Sequence, residues 1–175
     1  MPFLNEKGMY PVVCEWLEKY LKDKHRRAEV RVFDSSQRSL TRVISDAGLS
    51  KNLPTEWLSW EIYVDVVGFI ITSKTTSLAF VECKLGAITL RDLSQIIGYS
   101  RVVSPYYSFI VSPRGASSAL TSLLRTHRRL DVLEYQWFRD GTSRAITVAR
   151  WDQTAKTIDY SALISSDRST VGRLA

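Results

Sequence analysis

Residues 78–86, Leu-Ala-Phe-Val-Glu-Cys-Lys-Leu-Gly, make an apolar run that carries one glutamate and one lysine two positions apart. Read as a strand, the run puts Glu82 and Lys84 on one face and Val81, Cys83 and Leu85 on the other. Charged groups are rarely buried without a partner or a metal, so the pair asks for more than packing.

A second apolar run, residues 60–71, lies just upstream and carries Asp65, seventeen positions before Glu82. The link between the runs, 72–77, is short and polar, as a hairpin turn requires. Antiparallel pairing would bring Asp65 to Glu82. Two carboxylates converging beside a lysine suit a hard divalent cation such as magnesium, which takes oxygen ligands and keeps several waters. The lysine would orient a water or neutralise a phosphate oxygen. The plain alternative is an ordinary strand salt bridge between Glu82 and Lys84 in a basic interaction domain.

In this pattern the chain resembles the PD-(D/E)xK nuclease superfamily, with Asp65 as the first carboxylate and Glu82-Cys83-Lys84 as the ExK element. Gln95 and Tyr99 fall in a Gln-x-x-x-Tyr segment similar to the helix of the RecB-like branch, and Glu6 opens a segment similar to the family's N-terminal helix. The resemblance implies an α/β fold with a restriction-endonuclease-like core at about 6–112, a central mixed sheet of four or five strands flanked by helices, and a C-terminal β extension at about 113–164. It implies a metal-dependent nuclease acting on DNA rather than RNA, in repair, recombination, restriction or end processing. Asp65, Glu82 and the Cys83 backbone carbonyl would bind Mg2+ or Mn2+, with Glu6 directly or through water, while Lys84, Gln95 and Tyr99 complete the catalytic set. Glu15 and Glu18 stand as alternatives to Glu6. The runner-up is a non-catalytic nucleic-acid-binding module that keeps the fold.

With 175 residues, 45% of them hydrophobic, the chain is sized for one core, and a single domain is expected. Its net charge of +6 favours an acidic partner such as nucleic acid. Homodimerisation would suit the cutting of two strands. Cys14 and Cys83 are too few for a zinc site. No secretory leader pattern and no apolar run long enough for a membrane-spanning helix are evident, so a cytoplasmic protein without membrane association is expected.

Periodicity predicts a helix over 6–24 with Pro11 in its first turn, a strand over 28–33 and a short helix within 39–49. Thr89 and Asp92 have capping-box spacing ahead of a helix that ends before Pro105. Further elements are a strand over 106–111, a basic helix over 116–130, strands over 131–138 and 145–151 joined through Asp140-Gly141, a strand over 157–160 and a loose tail over 165–175. Arg125, His127, Arg128 and Arg129 on that basic helix receive no site role. The five tryptophans are expected in the core, and one left exposed would be a surface on which unpaired bases stack.

Overall fold

The structure, a computed structural model, describes residues 3–166. A 3-10 turn, Glu6–Gly8, is capped by the Asn5 side chain, which accepts the Gly8 N–H at 3.0 Å. The helix α1, Tyr10–Lys24, follows with Pro11 in its first turn. The single helix expected over 6–24 is thus two elements, because proline fits only the first turn of a helix and sets where α1 begins. Val13, Trp16, Leu17, Tyr20 and Leu21 bury one stripe of it.

Strand β1, Glu29–Asp34, leads to α2, Leu40–Ala47. Ser39 caps the start of α2 through the Arg42 N–H, and Gly48 ends it in the left-handed conformation. Strands β2, Val66–Ile71, and β3, Thr76–Cys83, form the expected hairpin, with Val66 opposite Val81. Residues 60–65, however, are not strand. The carbonyls of Trp60 and Ile62 accept from the first turn of α2, which commits residues 60–62 away from the ladder, while the Ser35 N–H to Asp65 carbonyl bond follows on from the Asp34–Val66 pair at the very end of the β1–β2 ladder. Asp65 therefore stands immediately ahead of β2 rather than in the middle of a strand.

The helix α3, Leu90–Val103, starts in the predicted capping box. It buries Leu93 and Ile96 and returns the chain to β4, Tyr107–Ser112, parallel to β3. The helix expected over 116–130 is much shorter. Ser117 donates its N–H to Ile88 and caps the start of α4, Ser118–Thr121, which runs directly into a π turn, Ser122–Thr126, and the chain leaves the helical path at Arg128 with a φ of 53°. Strands β5, Glu134–Trp137, and β6, Ser143–Ala145, make a separate ribbon. Strand β7, Thr147–Asp152, pairs parallel with β4, and β8, Thr157–Ile158, pairs with β7.

The result is an α/β fold around one mixed six-stranded sheet in the order β1-β2-β3-β4-β7-β8. The C-terminal part is thus no appendage: β7 and β8 extend the sheet beyond the four or five strands expected. Both faces are covered, which is why its strands read as nearly continuous apolar runs. Val66, Ile70, Val81, Cys83 and Phe109 face α1, while Val67, Phe69, Phe80 and Ile110 face the side of α2 and α3. Gly68 lets α1 sit close, since a Cβ there would lie 2.6 Å from Leu21 Cδ1. Of the expected loose tail, residues from 167 onward lie outside the described residues.

Candidate active site

The end of β3 carries Glu82 on the α3 side, where it is only 3% exposed. Its Oε1 accepts from Lys84 Nζ at 3.0 Å and from Gln95 Nε2 at 3.4 Å. Its Oε2 is buried with no hydrogen-bond partner. Gln95 reaches Glu82 because the Thr89 capping box fixes the start of α3, and Gln95 lies one and a half turns further along.

Asp65 arrives from the strand next door. Its Oδ2 accepts the Cys83 backbone N–H at 2.8 Å, and the Tyr10 hydroxyl also hydrogen-bonds its carboxylate. Within a strand, the N–H and C=O of one residue point to the same edge, so the Cys83 carbonyl faces this side too. On the other edge the Lys84 N–H donates to Val111 at 2.9 Å.

The electrostatics follow from burial and from like charge. Burial pushes the Glu82 carboxyl up to about 7, and the neighbouring Asp65 charge adds to that rise against the opposing pull of Lys84. Burial raises Asp65 as well, against the Cys83 N–H, the Tyr10 hydroxyl and Lys84, which favour its charged form. For Lys84, burial works downward, but Glu82, Glu6 and Asp65 outweigh it and hold the ammonium above its ordinary range. Lys84 is therefore a fixed cation at neutral pH.

Glu6 bears on this cluster electrostatically, acting on Asp65, Glu82 and Lys84 together. Glu15 and Glu18 are not among the largest charges acting on it. Glu15 lines an exposed groove with Lys19 and Asp23, and Glu18 is paired with Lys22. Tyr99 lies one turn beyond Gln95 and packs partly buried against the α3-side core. It makes no hydrogen bond to the Glu82–Lys84 pair among the described residues. The residue that sequence reasoning missed is Tyr10, whose only signal was its place one helical turn after Glu6.

No family model, curated protein or solved structure matches this chain. A buried and a half-buried carboxylate repel each other, and one oxygen of Glu82 lacks a donor among the described residues; a divalent cation would answer both. Among the described residues, no group of three or more histidine, cysteine, aspartate or glutamate side chains is placed to hold a metal ion. Asp65, Glu82 and the Cys83 carbonyl would leave further positions to water and substrate oxygen, as a hard cation such as magnesium prefers.

Proposed function

We propose that the chain is a metal-dependent nuclease that hydrolyses phosphodiester bonds in DNA, on a restriction-endonuclease-like core. The observation that carries this reading is the approach of Asp65 to the Glu82–Lys84 pair at the end of β3. Ligands of open α/β sheets lie beyond the carboxyl ends of their strands, and this cluster lies at the carboxyl end of β3, beside the parallel strand β4.

In this reading Asp65, Glu82 and the Cys83 carbonyl hold Mg2+ or Mn2+, with Glu6 bonded to the cation directly or through a water. Such a cation polarises the phosphate and lowers the pKa of a bound water. The chain's own residues do the rest. Lys84, kept protonated, offsets the negative charge that grows on the phosphate and orients the attacking oxygen. Gln95 holds Glu82 by its Oε1 and leaves Oε2 free. Tyr10 and the Cys83 N–H hold Asp65 from the α1 side.

The test is cleavage of single-stranded, duplex and branched DNA and of RNA, with magnesium, manganese or chelator. Metal-dependent cleavage that Asp65→Asn and Lys84→Ala each lose, the latter by about 100- to 1,000-fold, is the expected result. Metal-independent binding without cleavage, unchanged in both variants, would move the assignment to a non-catalytic nucleic-acid-binding module.

A further inference from the structure

The end of the sheet away from Glu82 carries a second feature. Tyr106 precedes β4 and donates its N–H to Leu78 at 2.7 Å, four residues and about 13 Å along β3 from Glu82. The β5–β6 ribbon folds over this end. Trp137 and Phe138 at the tip of β5 are 59% and 39% exposed, and Tyr106 is 40% exposed. Large aromatic rings exposed together mark an interaction surface rather than a core.

The cations here sit on the rings. The Arg101 guanidinium lies 5.7 Å from the Trp137 ring centre, and that of Arg144 lies 4.6 Å from Tyr106 and 5.3 Å from Phe138. Arg144 also donates to Gln136 and to the Ser104 carbonyl, which fixes the ribbon against the sheet. Arg26 and Arg27 follow His25, whose ring stands against Tyr106. Among the described residues none of these arginines, nor Arg139, is in an ion pair. The nearby carboxylates are occupied locally: Glu134 accepts the Trp137 indole N–H at 2.6 Å, and Asp140 caps its own turn through Thr142.

We propose that this pole binds single-stranded nucleic acid, with unpaired bases stacked on the exposed faces of Trp137 and Phe138, phosphates held by Arg26, Arg27, Arg101 and Arg139, and Tyr106 and Arg144 supporting the ribbon from beneath. Aromatic faces interleaved with cations are what a flexible polyanion with exposed bases recognises. A second copy of the chain fits less well, because a two-fold contact would set one arginine group against the other. The proposal extends the nuclease reading by naming unpaired nucleotides as the feature held, and its test does not depend on cleavage.

The experiment is fluorescence anisotropy in chelator with a labelled oligothymidylate of about thirty nucleotides, the matching oligouridylate and a duplex of the same length. Trp137→Ala is expected to weaken binding of the single strand about tenfold and that of the duplex much less, with Trp137→Phe retaining most of the affinity. Arg101→Ala combined with Arg139→Ala is expected to lower the salt slope by about 1.4 for two lost phosphate contacts. Preference for either sugar, or for neither, supports the proposal and assigns its scope. Unchanged binding in Trp137→Ala, equal loss on single strand and duplex, or loss of a dimer by light scattering without loss of oligonucleotide binding would overturn it. Trp137 is exposed, so its truncation leaves the core intact, and unchanged circular dichroism verifies that.

Discussion

Asp65 Oδ2 takes the Cys83 backbone N–H at 2.8 Å, which fastens a carboxylate from just before β2 to the strand that bears Glu82. This one bond turns two separate acidic positions into a pair. Their mutual repulsion, in a site where Glu82 is almost fully buried, is the property from which the first expectations derive.

Folding stability in chelator should fall as pH rises from about 4.5 to about 7. Burial and the Asp65 charge raise the folded Glu82 carboxyl to about 7 from 4.5. Its contribution to stability is therefore complete below the unfolded value and is lost as pH rises through the folded one. Asp65 shifts in the same direction. Thermal melts across this range should show the decline in the wild type and a flatter profile in Glu82→Gln, which becomes the more stable protein near pH 8. For Asp92 burial is the largest single effect and acts upward, but the two Thr89 hydrogen bonds together with the Lys84 and Arg91 charges outweigh it and hold the carboxyl low, so its contribution is lost only in a separate window below its ordinary value.

Gln95 and Tyr99 should behave differently although they share a helix face. Gln95→Leu removes a donor to Glu82 and is expected to lower cleavage about 10- to 100-fold, as loss of an outer partner of a metal ligand does. Tyr99→Phe should leave the rate within about twofold, since its hydroxyl has no bond to the cluster. Steady-state kinetics on the two variants make the comparison.

Gly68→Ala should destabilise the fold by about 1–3 kcal/mol through overpacking. The new methyl would lie 2.6 Å from Leu21 Cδ1 and 3.2 Å from Leu17 Cδ2, and both leucines are fully buried. Because α1 also carries Tyr10, displacement of that helix should weaken metal binding along with stability. Denaturant unfolding measures the first effect and metal titration the second.

Thr89→Ala should cost about 1 kcal/mol by loss of the helix cap. The Thr89 side chain accepts from the Asp92 N–H, and Asp92 returns the bond to the Thr89 N–H at 2.9 Å. Urea unfolding should show the loss without a change in slope.

The local signals in the sequence proved specific where one residue type decides the backbone. The polar link at 72–77 supplied the β2–β3 turn at 72–75, with Thr76 and Ser77 already in β3, and the Thr89–Asp92 spacing became a capping box. Asp65 was legible as a carboxylate near the Glu82 strand but not as lying just ahead of β2, because the bonds of Trp60 and Ile62 to α2, which turn the preceding chain off the ladder, are not local signals. The strand expected over 145–151 is there as β7, but nothing local says that Ile146 separates it from β6 and sends the two into different sheets. The helix expected over 116–130 starts late because Ser117 is bound to Ile88 from another part of the chain, and it stops early because Arg128 turns to a positive φ of 53° just after the π turn. Tryptophan type alone could not tell buried Trp151 from exposed Trp137, a difference set by what packs on each.

The measurement that tests the account most directly is calorimetric titration of Mn2+ into the wild type, Asp65→Asn, Glu82→Gln and Glu15→Gln near pH 8, where the Glu82 carboxyl is ionised. The account predicts one site per chain in the wild type and in Glu15→Gln, lost in Asp65→Asn and in Glu82→Gln. Binding that survives both of those substitutions unchanged, or an absence of binding in the wild type, would contradict it.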